Sequence, residues 1–152
     1  MEIRELINKD LINLDLKGKN KNEVIEELAK SLEKNAKIDD IEDFIDAIMA
    51  REAEGSTGVG FGIAIPHAKS ASVKEPCLVF ARTDRPVAYD DSDGKADMFF
   101  MIAAPEGEEN LHLQTLAKLS RKLIDEHFRH VLRHAETADD ILSALYEIDD
   151  GQ

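Results

Sequence analysis

The residues best suited to chemistry lie in the stretch STGVGFGIAIPHAKS, residues 56–70, where His67 directly follows Pro66. The short apolar run before the proline predicts a strand, so His67 stands at a rigid strand end with little freedom to lose. A neutral imidazole is nucleophilic and accepts an electrophilic group at one nitrogen, while a hydrogen bond to the other nitrogen fixes the tautomer. We therefore predict nucleophilic catalysis by His67. The alternative is a histidine that is only packed or hydrogen-bonded at a strand end.

Two phosphate-binding motifs do not fit the glycines of this stretch. A P-loop needs a glycine directly before its lysine and a helix that begins there, but Ala68 precedes Lys69 and Pro66 interrupts the segment. A dinucleotide-binding fingerprint has its glycines after a strand, whereas here they precede one. The glycines instead allow the backbone to approach a ligand closely, and Ser56 and Thr57 offer hydroxyls beside them.

Three further histidines, His127, His130 and His134, have the i, i+3, i+7 spacing of one helix face. This spacing permits metal ligation, but the sequence fixes no acidic or cysteine partner for them. We therefore predict a solvated helix face here and no metal site.

The composition restricts the partners of the chain. With 32 acidic and 19 basic residues the net charge is −13, which argues against nucleic acid because a phosphate backbone requires an excess of Lys and Arg. No apolar run reaches the roughly 18 residues of a transmembrane helix, and the charged start MEIRELINKD does not resemble a signal peptide. The lone cysteine, Cys77, is predicted to be a core residue. These features predict a cytoplasmic protein in which residues 1–152 form one domain.

Helices are predicted at both ends of the chain, with strands between them. Amphipathic spacing and capping residues predict helices over 20–35, 39–55, 110–125, 126–134 and 137–147, the last with Thr137 as its N-cap. β-prone apolar runs predict strands over 11–16, 62–65, 77–82 and 96–104. The helix over 110–125 is predicted to bury a broad stripe of Leu113, Leu116, Ala117, Leu119 and Leu123. The order of elements predicts an α/β fold, a single domain with a central mixed β-sheet flanked by helices on both faces.

Two blocks of the sequence resemble a known family. The segment STGVGFGIAIPH and the block PEGEENLHLQTLAKLSR, about 40 residues later, are similar to the enzyme IIA domain of the fructose–mannitol class of the bacterial phosphoenolpyruvate-dependent sugar phosphotransferase system. The resemblance extends over nearly the whole chain, and it is closer to the fructose type than to the mannitol type.

The resemblance implies a role for each matching residue. His67 matches the family's phosphorylated histidine, which takes a phosphoryl group from the carrier protein HPr and passes it to a cysteine of the cognate IIB domain. His112 matches the second active-site histidine, and Arg51 matches the arginine before the loop. Ser56 and Thr57 match the loop that lines the phosphate pocket. No cofactor is implied.

Several alternatives remain open at this point. Ala68 departs from the family pattern, in which many members have glycine after the histidine, and this puts partner contacts in doubt. A regulatory IIA protein of the nitrogen-related branch would share the fold and the histidine but act by binding target proteins, and a domain with an inert His67 would accept no phosphate. The sequence leaves open which sugar is involved and whether the chain is part of a longer polypeptide.

Overall fold

One mixed β-sheet organises the computed structural model, which describes residues 1–90, 94–107 and 110–151 apart from the side chain of Leu111. The strands in these residues are β1 (Ile12–Asn13), β2 (Gly58–Gly60), β3 (Ile63–Ala64), β4 (His67–Lys69), β5 (Cys77–Ala88) and β6 (Lys95–Ala104). The α-helices are α1 (Lys21–Lys34), α2 (Ile41–Ala53), α3 (Leu111–Lys122), α4 (Glu126–His134) and α5 (Ala138–Tyr146). Short 3-10 turns occupy Ile3–Glu5, Lys9–Leu11 and Glu147–Asp150.

The two long strands β5 and β6 form the antiparallel centre of the sheet. β1 lies parallel to β5 at one edge, and β3 and β4 both lie parallel to β6 on the other side, with β2 antiparallel to β3. Every residue of β6 from Met98 to Ala104 is buried, so both faces of the sheet are covered. The predicted α/β class, with a mixed sheet between helices, is confirmed.

The helices begin where the capping residues predict. Asn20 accepts a hydrogen bond from the backbone N–H of Glu23 at the start of α1, and Thr137 accepts one from Asp140 at the start of α5. Each such cap satisfies an N–H that the helix itself leaves unpaired. All five predicted helices are present, with ends that differ by a few residues from the expected bounds.

The strand predictions were less accurate. The strand predicted over residues 11–16 is reduced to Ile12–Asn13, and β5 continues past residue 82 to Ala88 through an irregularity in its pairing with β6. β2 and β4 were not predicted, because each has only three residues; β2 forms a hairpin with β3, and β4 pairs with the distant β6. The pair Asp93-Gly94 in the sequence predicts a turn, and Asp93 lies outside the described residues.

The most important correction concerns Pro66. β3 ends at Ala64, before the proline, but the pairing resumes in β4 with the same register along β6: Ile63 lies opposite Met98, and His67 lies opposite Ile102. The carbonyl of Pro66 accepts a hydrogen bond of 2.9 Å from the N–H of Ile102. The proline therefore interrupts the pairing only where its missing N–H would be needed, and His67 begins a strand that is fixed against the centre of the sheet.

The hairpin between β2 and β3 turns through three consecutive residues with positive φ, Gly60, Phe61 and Gly62. The guanidinium of Arg133 donates to the carbonyl of Phe61 and pairs with Asp97 at 2.8 Å. A left-handed backbone costs a non-glycine residue about 1 kcal/mol or more, so these contacts must hold the tip in place.

Cys77 begins β5 inside the core. Its side chain is buried, and burial raises the pKa of the thiol to about 12. The prediction of a core cysteine is confirmed. In the same described part of the chain, none of the helices has the length and apolar character to span a bilayer.

The tip of the hairpin generates a test of its geometry. A Cβ at Gly62 would lie 2.8 Å from a guanidinium nitrogen of Arg133 and 2.9 Å from a carboxylate oxygen of Asp97, whereas a Cβ at Gly60 would meet no atom within 4 Å. Gly60→Ala should lower the free energy of unfolding by about 1 kcal/mol through backbone strain alone. Gly62→Ala should lower it further, because it also displaces the ion pair. Equal losses in urea denaturation would contradict this account.

Candidate active site

His67 is held by a hydrogen bond that determines its tautomer. Its Nδ1 lies 2.8 Å from the carbonyl oxygen of Ile65, two residues earlier in the chain. A carbonyl only accepts, so Nδ1 carries the proton and Nε2 presents its lone pair. The residue is only 5% exposed. Among the described residues, Nε2 has no hydrogen-bond partner and is not fully buried, so this nitrogen keeps contact with solvent.

The structure brings His112 to His67. The two ring centroids are 5.8 Å apart and the rings are tilted by 38°. His112 lies in the first turn of α3, and its Nδ1 is a buried nitrogen without a hydrogen-bond partner in the described part of the chain. A buried polar atom without a hydrogen bond costs free energy, so a hydrogen bond to Nδ1 of His112 would be favourable.

One lysine lies beside the pair of histidines. Lys69 lies two residues after His67 in β4, so both side chains project from the same face of the strand. Burial lowers the pKa of His112, and the neighbouring His67 and Lys69 lower it further. The sequence analysis did not select Lys69, although its i+2 position in an extended segment is the signal that would have found it.

The N-terminus of α3 is also directed to this region, since His112 is its second residue. Asn110, the N-cap, has a left-handed backbone and no capping side-chain bond, and the first turn contains no acidic residue. Within the helix itself, no acidic side chain of the first turn offsets the positive end of the dipole.

Arg51 lies in the last turn of α2, a helix that packs beside β4. Its Nη1 donates to the carbonyl oxygen of Gly55 at 2.9 Å, which ties the arginine to the loop that follows the helix. Among the described residues it forms no hydrogen bond or ion pair with His67 or His112. A contact with phosphate stays a prediction for Arg51.

Ser56 and Thr57 have their hydroxyls engaged with carboxylates. The hydroxyl of Ser56 donates to Asp90, and that of Thr57 donates to the buried Glu52. Thr57 is itself buried, and its carbonyl accepts the N–H of Ile65 at 3.0 Å. The geometry gives both residues a part in fixing the loop, while direct phosphate binding stays a prediction.

An exposed leucine adjoins the site. Leu113, predicted to belong to the core stripe of its helix, is 47% exposed, and that part of the prediction is wrong; Ala117 is exposed as well, whereas Leu119 and Leu123 are buried. The helical period identifies an apolar face but not what covers it. An apolar side chain in water next to His112 is suited to contact with a partner protein.

The remaining histidines lie elsewhere. His127, His130 and His134 are exposed on α4, and the rings of His130 and His134 stack at 4.1 Å between centroids. No group of three potential ligands with metal-binding geometry occurs in residues 1–90, 94–107 and 110–151.

The environment of His112 predicts its titration. In an NMR titration its midpoint should lie below the ordinary value of about 6.5, and Lys69→Met should raise it while Lys74→Met, a change of another exposed lysine, should not. A midpoint at or above the ordinary value would contradict the burial argument. Because the pKa of His112 is lower in the folded state, the unfolded chain binds more protons. The contribution of His112 to the free energy of unfolding is therefore complete above about pH 6.5 and is lost as the pH falls through the folded-state pKa. His112→Gln should lack this contribution.

The chain has relatives along nearly its whole length. It is 43% identical over 150 residues to the "PTS system fructose-specific EIIABC component" of Bacillus subtilis, covering 98% of this chain but 24% of that protein. It is 39% identical over 140 residues to the "PTS system fructose-specific EIIA component" of Haloferax volcanii, covering 91% of each. The chain thus spans about a quarter of the length of the Bacillus relative.

Solved structures agree with the fold. The nitrogen regulatory protein IIA-Ntr from Neisseria meningitidis superposes with a TM-score of 0.85 at 34% identity, covering 93% of this chain and 97% of that one. The enzyme IIA of mannitol from Escherichia coli, in its complex with phosphorylated enzyme IIB, gives a TM-score of 0.80 at 26% identity over 93% and 97%. The sequence model described as "Phosphoenolpyruvate-dependent sugar phosphotransferase system, EIIA 2" matches residues 5–148. The chain belongs to this EIIA family.

Proposed function

We propose that the protein is a cytoplasmic phosphocarrier for fructose-type sugar uptake. In this proposal, Nε2 of His67 accepts a phosphoryl group from phosphorylated HPr and passes it to a cysteine of a IIB domain. One observation carries the proposal: the hydrogen bond from Nδ1 to the Ile65 carbonyl, which leaves Nε2 as the free nucleophile. The fructose-specific names of the two relatives support the sugar type.

The transfer needs little covalent chemistry from the protein. The lone pair of Nε2 attacks phosphorus in line, the N–P bond of the donor histidine breaks, and its electron pair returns to the donor ring. The proton on Nδ1 of His67 stays where it is, held by the carbonyl of Ile65. The product ring carries that proton together with the new Nε2–P bond, and a second in-line attack by a thiolate of IIB restores the original neutral imidazole.

The surroundings of His67 suit the charge that develops on the phosphoryl oxygens. Lys69 and the uncapped start of α3 contribute positive potential, the helix terminus typically about 0.3–1 kcal/mol. The ring of His112, neutral because its pKa is lowered, offers an N–H to a phosphoryl oxygen. We also propose that Arg51, in the last turn of α2, leaves the carbonyl of Gly55 and binds two phosphoryl oxygens with its planar guanidinium.

A second function is favoured by a specific observation, the close structural match to a nitrogen regulatory IIA protein. In that case the same histidine would be phosphorylated, but the chain would act by binding target proteins instead of serving a permease. The two functions differ in the second transfer. A regulatory protein would keep its phosphate in the presence of a IIB domain.

The central test uses radiolabelled phosphoenolpyruvate with enzyme I and HPr, followed by the IIB part of the Bacillus subtilis EIIABC relative. The wild type should acquire an acid-labile, alkali-stable label and lose it to IIB. His67→Ala should acquire none, because the nucleophile is absent. His112→Ala should accept label but transfer it more slowly by about 10²-fold, as when one donor to a developing oxyanion is removed.

Each outcome of this experiment has a distinct meaning. Label on His67→Ala would refute the assignment of the phosphorylated residue. Label on the wild type that IIB does not remove would favour the regulatory function. A wild type that takes no label would leave the chain outside phosphotransfer altogether.

The exposed leucine beside the site predicts a docking effect. Leu113→Gln should raise KM for phosphorylated HPr about five-fold and leave kcat unchanged, since about 1 kcal/mol of apolar burial on binding is lost. The matched control is Ile124→Gln, another exposed apolar residue about 16 Å further along the direction of α3, for which no change is expected. Equal effects of the two substitutions would exclude a specific role for Leu113.

A further inference from the structure

Glu52, directly after Arg51, is a buried carboxylate that the transfer chemistry does not use. It is 6% exposed, and its Oε1 pairs with Nζ of Lys21 at 2.7 Å. The hydroxyl of Tyr89 donates to Oε2 at 2.9 Å, and Nζ of Lys21 lies 4.7 Å from the centre of the Tyr89 ring. The carboxylate therefore joins the start of α1, the end of α2 and the residue that follows β5.

The same carboxylate holds Thr57. The hydroxyl of Thr57 donates to Oε2 of Glu52, and its backbone N–H donates to Oε1 at 3.3 Å. Burial alone would raise the pKa of Glu52, but the hydrogen bonds from Lys21, Thr57 and Tyr89 outweigh it and lower the pKa. Glu52 is thus ionised and fully partnered at neutral pH.

A continuous series of hydrogen bonds connects this carboxylate to the nucleophile. The carbonyl of Thr57, whose N–H and hydroxyl are held by Glu52, accepts the N–H of Ile65 at 3.0 Å. The carbonyl of the same Ile65 accepts Nδ1–H of His67 at 2.8 Å. Three hydrogen bonds therefore link the buried carboxylate to the imidazole ring, through Thr57 and Ile65.

Stability alone gives a poor account of this arrangement. A buried ion pair is often no more stabilising than well-packed apolar residues of the same volume, because both charges lose their hydration. What the charges provide here is position: a fixed carboxylate holds a loop residue on both its backbone and its side chain. Groups that orient a reactive imidazole through its second nitrogen have large effects in other sites.

We propose that Glu52 and Tyr89 are positioning residues, which fix Thr57 and through it the Ile65 carbonyl that keeps His67 in the Nδ1–H tautomer. Neither side chain touches the phosphoryl group. They act on transfer through the orientation of one carbonyl. The expected effect on the phosphorylation rate rests on the proposed function, whereas the effect on the His67 tautomer does not.

The tautomer of His67 is measured directly in the unphosphorylated protein by two-bond ¹H–¹⁵N correlation of the imidazole rings, which requires no partner protein. In the wild type, Nδ1 of His67 should give the signal of a protonated nitrogen and Nε2 that of an unprotonated one. In Glu52→Gln and Tyr89→Phe the two signals should move toward each other as the second tautomer becomes populated. Tyr89→Phe keeps the ring and serves if Glu52→Gln does not fold.

The matched control is Asp149→Asn. The Asp149 side chain is also a buried carboxylate, and it accepts a backbone N–H from Ile3 at 2.6 Å and the side chain of Arg4 at 2.9 Å, but these contacts join the two ends of the chain and none of them involves His67. It should lower the free energy of unfolding without changing the His67 signals. The initial rate of phosphorylation by phospho-HPr should fall about 10-fold in Glu52→Gln and stay unchanged in Asp149→Asn.

The outcomes separate this inference from the proposed function. Wild-type nitrogen signals for His67 in folded Glu52→Gln and Tyr89→Phe would overturn the positioning role, even if the protein is a phosphocarrier. Shifted signals in a protein that accepts no phosphate would uphold the positioning of His67 while refuting phosphotransfer. A shift of equal size in Asp149→Asn would reduce the effect to general destabilisation and overturn the inference.

Discussion

The hydrogen bond from His67 to the carbonyl of Ile65 is the contact on which the rest of the site depends. It decides which ring nitrogen presents its lone pair, and it forms where the chain passes from β3 to β4 in one register along β6. A histidine two residues beyond its own acceptor would otherwise sample several rotamers. The sheet therefore contributes to the chemistry by fixing a carbonyl, and the helices contribute charge around the imidazole.

The site divides into an outer and an inner part. Toward solvent lie His112, Lys69 and the exposed Leu113, which are accessible to a molecule that binds at the site. Behind the reactive ring lie the buried Glu52, Tyr89 and Thr57, whose hydrogen bonds keep the backbone still. The proposed transfer between two partners would require both properties, since a donor and an acceptor would each have to find the same nitrogen in the same orientation.

Much of the fold could be predicted because its signals are local. The capping residues Asn20 and Thr137 act on the turn that follows them, so both helices began where expected. β4 could not be predicted, because three residues become a strand only through pairing with β6, 35 positions later. Leu113 was assigned to the core because helical periodicity identifies an apolar face but does not show whether another element packs over each residue of it. His67 followed from its chemistry after Pro66, but the Glu52 network joins residues as far apart as 21 and 89, and no sequence pattern indicates that they meet.

The buried thiol at the start of β5 has a consequence for redox chemistry. Only the thiolate exchanges with disulfides, and with a pKa of about 12 the Cys77 sulfur is almost entirely protonated as well as inaccessible. The Cys77 sulfur is thereby protected from forming a mixed disulfide with an exposed thiol of another protein. The same property makes the molecule convenient for fluorescence work, because a cysteine introduced on the surface would be the one that a maleimide dye modifies.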